Sequence, residues 1–204
     1  QGNSRIKRAY NPKSRRSYVS QAALQQRAAT RSGVAAGRFS DPGLAYQWHY
    51  TNSGNNAFDK TNSTGETLAG SIAGCDGCYE AWQKCTGDPS VIVAVLDDGV
   101  MYTHPDLAGN IWVNDKEELY AGTDADGNGY KDDRYGYNFV HNTAAISWTD
   151  VNDIGHGTHV SGTIAAMNNG YGVCGIAGGD GTKDSGVKIM ICQVFAGDNS
   201  VSLN

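Results

Sequence analysis

Residues 91–96, VIVAVL, run without a polar side chain and stop at Asp97-Asp98-Gly99. An apolar run this short reads as a strand, and an uninterrupted one predicts burial on both faces. Strands of that kind belong to parallel sheets, whose neighbours are reached by crossovers of helical length. Residues 187–195, VKIMICQVF, read as a second buried strand. Between them, from Gly157, the stretch THVSGTIAAMNN carries Val160, Ile164 and Met167 at helical spacing, and Gly170 is its expected end. Strand, helix and strand in that order predict a right-handed crossover and an α/β fold. Residues 111–113 and 137–140 are weaker strand candidates. Residues 79–85 and 21–29 are candidate short helices. Residues 41–74 read as loop, anchored by Tyr46, Trp48 and Tyr50.

Composition narrows the class. Hydrophobic residues make up 39% of 204, enough for a packed core. No apolar stretch approaches the roughly 18 residues of a membrane span. Residues 1–40 hold nine Lys or Arg and no acid, so all 21 acids lie beyond them. No nucleic-acid-binding fold follows these cations, so nucleic acid is not an expected partner. Residues 1–40 read as a basic linker or pro-segment remnant ahead of a unit spanning 41–204. Five cysteines leave at least one unpaired within the chain. Cys75 and Cys78 suit a local disulfide, with Cys85 as a further partner, or free thiols. A redox or zinc half-site would want a second close pair. Cys174 and Cys192 sit in apolar surroundings, as core residues do.

Three stretches carry chemistry. Asp97 and Asp98 stand at the carboxyl end of a buried strand, where ligands collect in open α/β sheets. Downstream, DIGHGTHVSGT places His156 at the entry to a helix between Gly155 and Gly157, small neighbours that leave an imidazole open. Such a group accepts and returns a proton near neutrality, and a nearby carboxylate would fix its tautomer. A third stretch, TDADGNGYKDDRYGYNF, alternates oxygen donors around a glycine, as a calcium loop does. Asp124, Asp126 and Asn128 would give side chains, Tyr130 a carbonyl, and Asp132 or Asp133 the closing carboxylate. An EF-hand would want a glutamate where Tyr135 stands, so the loop is a relative of that motif. The spacing of His156 and His159 also allows a zinc pair, but no third ligand or glutamate base accompanies it.

AVLDDGVMYTHPDL and GHGTHVSGTIAA resemble the aspartate and histidine motifs of the subtilisin-like serine proteases. The stretch from GVCGIAGG to VKIMICQVF is similar to that family's next segment, so the resemblance spans residues 79–195. It implies a three-layer α/β fold, a parallel sheet with helices on both faces, incomplete in this chain. It implies Asp97 and His156 as two members of an Asp-His-Ser triad, with His159 structural. The kexin-like branch shows the same Asp-Asp-Gly, and Asp98 would line the cleft and favour a basic substrate residue. The family's Gly-Thr-Ser nucleophile motif, oxyanion asparagine and Ser-Leu-Gly-Gly strand have no counterpart here. Ser161, Ser200, Asn199 and Asn204 stand in the wrong contexts. The expectation is therefore the N-terminal portion of a nicked, calcium-binding serine endopeptidase, secreted or at the cell surface and acting on proteins or peptides. A C-terminal fragment of the same protease would supply the serine. The alternative is a non-catalytic, calcium-stabilised binding module that keeps the fold.

Overall fold

A computed structural model describes residues 39–47, 49–50, 78–150 and 153–201. The expected helix at 21–29, Trp48 and Cys75 lie outside the described residues. After a short helix α1 (Cys78–Trp82), strand β1 covers Ile92–Asp97. Strand β2 (Gly136–Asn138) precedes helix α2 (His156–Ala165), and strand β3 spans Lys188–Gln193. Both β1 and β2 pair in parallel with β3, giving the order β1-β3-β2. Asp97 and Asn138 both stand opposite Gln193, so three polar residues line the carboxyl end of the sheet. A small antiparallel pair, β4 (Phe195–Ala196) and β5 (Asn199–Ser200), follows.

The predicted α/β architecture is present: α2 packs against β1 and β3. Val95, Ile189 and Ile191 meet Val100, Leu107, Ile111 and Ala165 in one apolar cluster. Each such aliphatic side chain contributes roughly 1.5–3 kcal/mol by leaving water. A second cluster joins Phe39, Leu44, Tyr50 and Trp82 to Cys174. Its two polar aromatic groups are satisfied: the Tyr50 hydroxyl donates to the Cys174 carbonyl at 2.7 Å, and Trp82 Nε1 to the Ile176 carbonyl at 2.8 Å. Cys174 is buried as expected, and Cys85, Cys174 and Cys192 are free thiols.

Three expectations are corrected. The run at 91–96 is not buried on both faces. Ile92 and Leu96 are 49% and 52% exposed, because no described element covers that face of the sheet. The helix ends at Ala165 rather than near Gly170, since Ala166 turns extended where Gly175 passes close. A Cβ at Gly175 would stand 2.5 Å from the Ala165 nitrogen, so the chain there admits only glycine. Finally, residues 111–113 form only a bridge between Ile111 and Ile189, while Trp112 donates its amide to the Ile189 carbonyl at 2.8 Å.

Candidate active site

Asp97 is the last residue of β1, and His156 the first of α2. The fold brings them together across 59 positions of sequence. His156 Nδ1 lies 2.7 Å from Asp97 Oδ1 and 2.9 Å from Oδ2. The same Oδ1 accepts the Asp98 amide at 2.8 Å, which fixes the carboxylate's rotamer. The imidazole is 62% exposed, whereas the Asp97 side chain is only 16% exposed. The acid is thus held by the protein while the ring stays open. The hydrogen bond to Asp97 and then that residue's charge hold the His156 pKa above the ordinary histidine value, partly opposed by desolvation. Among the described residues no other group bonds the ring, so Nε2 is available to a reacting hydroxyl.

Asp98 takes a different part from the one expected. It is 8% exposed, and its carboxylate turns away from the cleft into the start of α2. Oδ2 accepts the His156 amide at 3.1 Å, and Oδ1 accepts the amide of Gly157. Burial raises its pKa most strongly, with the two amides acting in the opposite sense. The sequence could not show this, because the direction of the side chain depends on where a distant helix arrives. The strand end and helix start are laced again by Met101, whose amide donates to Thr158 Oγ1 at 3.0 Å. A groove of about 630 Å³ runs along α2 past Thr158, His159 and Gly162 to His104 and Asp106. Although histidines share this groove, no metal-ligating group forms around His156 and His159 among the described residues. Ser161 is fully buried on the inner face of α2, out of reach of a substrate.

The acidic loop folds on itself. Asp124 Oδ1 accepts the amides of Gly127 and Asn128 at 2.8 and 3.0 Å, and Oδ2 that of Gly129 at 2.9 Å. Oxygens of Asp124 and Asp126 converge with one from Glu117, all within 4.8 Å of one another. Glu117 is fully buried and was missed; it lies outside the Asp/Gly run that marks the loop, and nothing local flags it. Asn114 Nδ2 donates to Asp126 Oδ2 at 2.9 Å and holds that carboxyl below its ordinary range. Hydrogen bonds hold the other expected ligands within the same loop. Asn128 Oδ1 accepts the Tyr130 amide, Asp132 Oδ1 accepts that of Gly122, and Asp133 takes the side-chain amides of Asn114 and Asn128. The Tyr130 ring packs against Tyr137 and Phe139. A second acidic pair, Asp41 and Asp106, is buried beside the groove. Asp106 Oδ1 has no hydrogen-bond partner, while Oδ2 accepts the Val173 amide at 2.9 Å. Burial, and after the Val173 bond the charge of Asp41, set the Asp106 pKa, which is raised.

The profile of the subtilase family (peptidase S8) matches residues 88–203. Subtilisin-like protease 1 of Plasmodium vivax is 46% identical over 106 residues, which is 50% of this chain and 15% of that protein. Fervidolysin of Fervidobacterium pennivorans is 34% identical over 138 residues, 64% of this chain and 15% of the relative. The chain thus spans about one seventh of the length of these relatives. A solved structure of a serine protease of Aeromonas sobria with its chaperone superposes at a TM-score of 0.53 and 27% identity, covering 81% of this chain and 21% of that one.

Proposed function

The chain belongs to the subtilase family, and on that premise we propose that it forms the aspartate–histidine half of a secreted serine endopeptidase. The observation that supports this reading most strongly is the 2.7 Å contact between Asp97 and an exposed His156. In the proposed mechanism Asp97 holds the Nδ1 proton, which leaves Nε2 as the base. Nε2 takes the proton of a serine hydroxyl supplied by a segment beyond these residues or by a second chain. The serine oxygen attacks the scissile carbonyl, and the resulting imidazolium gives its proton to the leaving amine. Water then releases the acyl group by the same route in reverse. An oxyanion asparagine belongs to that other segment, and protein or peptide chains are the substrates.

A fluorophosphonate probe tests this on the complete protease. The serine-bearing segment should be labelled, and His156→Ala should abolish the labelling. An intact-mass measurement under denaturing conditions would show whether that segment is a separate polypeptide. Folded wild-type protein that takes no label would point instead to a non-catalytic binding module.

Calcium fits the acidic loop by the chemistry of its donors. Glu117, Asp124 and Asp126 offer hard oxygens only, and Glu117 is a fully buried carboxylate aimed into the group. Bound calcium would offset the repulsion of three acids and tie the loop to residue 117. The unpartnered oxygen of Asp106 beside Asp41 suits a hard cation for the same reason. Neither place touches Asp97 or His156, so the role is structural. Saturation at 100 times the dissociation constant adds about 2.7 kcal/mol. Chelation is accordingly expected to lower the melting temperature by several degrees, and Glu117→Gln to remove part of that calcium-dependent increment. A chelator-insensitive melting temperature would count against the calcium reading.

A further inference from the structure

We propose that Asp98 is the residue that positions the catalytic base, by holding the backbone of His156 while Asp97 holds its ring. The inference rests on the endopeptidase reading and goes beyond it. The first amides of a helix have no intrahelical acceptor, and a side chain normally supplies one from the residue just before the helix. In α2 that residue is Gly155, which has no side chain and sits at φ 73°. The acceptors come instead from the end of β1, 58 and 59 positions away, where Asp98 Oδ2 meets the His156 amide at 3.1 Å and Oδ1 meets that of Gly157.

This arrangement makes adjacent residues on one strand end grip one histidine at two points. Asp97 takes the imidazole Nδ1, and Asp98 takes the amide of the same residue. Rotation or translation of the start of α2 would stretch both contacts together. The surroundings are shaped for this grip. A Cβ at Gly157 would lie 2.6 Å from both Asp98 Oδ1 and the Asp98 carbonyl oxygen, so the second glycine of Gly-His-Gly leaves room for the carboxylate. Asp98 is 8% exposed, and each of its oxygens is turned to an amide at the start of α2. The charged groups that face this point are Asp97, Asp153 and His156, and the negative charge of Asp98 favours the protonated form of the imidazole.

The test uses Asp98→Ala and Asp98→Asn in the complete protease, with peptides carrying either a basic or a neutral residue next to the scissile bond. A loosened base should lower kcat by about 10- to 100-fold in the alanine variant, with KM little changed for either peptide. Asn keeps one acceptor and loses the charge, so its kcat should fall between those of alanine and wild type. In both variants the acid limb of kcat/KM should move to lower pH, because a negative charge beside His156 is gone. A helix cap with no part in positioning would reduce the melting temperature and leave kcat in place; that result overturns the proposal. So does a rise in KM confined to the basic peptide, which would return Asp98 to the substrate cleft. If the alanine variant does not fold, unchanged kcat and an unmoved acid limb in Asp98→Asn overturn it equally. A wild-type protein that hydrolyses neither peptide and takes no fluorophosphonate label sinks the endopeptidase reading itself, and the inference with it.

Discussion

Asp97→Asn in the complete protease should lower kcat by on the order of 10⁴-fold while KM changes little. The carboxylate accepts the Nδ1 proton of His156 at 2.7 Å and so leaves Nε2 as the unprotonated nitrogen. An asparagine there can offer its NH₂ to the ring, which favours the opposite tautomer and puts the proton where the base is needed. The substitution also removes the charge that steadies the imidazolium during attack. Both losses act in the transition state more than on substrate binding, so the effect belongs in kcat. Steady-state kinetics with a peptide substrate checks it. Only a few-fold loss of kcat would mean that Asp97 orients nothing. A loss confined to KM would mean that it contacts substrate.

Gly99→Ala should be the most damaging small substitution for the fold. A Cβ at Gly99 would overlap the carbonyl oxygen of Ser147, a backbone atom that cannot swing aside. Ser147 is itself fixed, since its amide donates to Gln193 Oε1 at 3.0 Å and its hydroxyl accepts Gln193 Nε2 at 2.9 Å. Gln193 is fully buried at the carboxyl end of β3. The strain therefore reaches the strand ends that hold Asp97, and about 4 kcal/mol of destabilisation is expected. In a domain of this size that is roughly 8–16 °C of melting temperature. Gly122→Ala supplies the contrast. Gly122 has φ 73° and no atom within 4 Å of its Cβ position, so only the backbone cost of about 1–2 kcal/mol applies. Thermal unfolding of the two variants side by side separates steric overlap from conformational strain. Equal melting temperatures would refute the close approach at Ser147.

What the sequence revealed about this site, and what it hid, follows from the range of the interactions. Asp97 and His156 are legible because each sits in a local pattern, an acid ending an apolar strand and an imidazole opening a helix between glycines. The parallel sheet is legible for the same reason, through two mainly apolar stretches, 91–96 and 187–195. Asp98 was misread because its neighbours come from residues 156 and 157, and an Asp-Asp pair does not say which carboxylate turns inward. Glu117 was missed because its partners are amides of Ala125, Asp126 and Asp132, gathered only once the loop closes. The exposed face of β1 escaped notice because an apolar run reports what a strand can bury, and no described element packs over that face. The helix end was placed too late because Met167 fits helical spacing, yet its amide donates to the Asp106 carbonyl at 2.7 Å outside the helix.

The coupling between Asp97 and His156 can be measured without any substrate, by NMR titration of the His156 ring in the folded protein and in Asp97→Asn. The carboxylate favours the charged imidazole, so its pKa should lie above the roughly 6.5 of an unperturbed histidine and fall when the charge is removed. By linkage this contact stabilises the fold fully below that unperturbed value, and the contribution is lost as pH rises through the folded-state pKa. A His156 that titrates at the same pH in both proteins, at or below the unperturbed value, would contradict the pairing on which the proposed base depends.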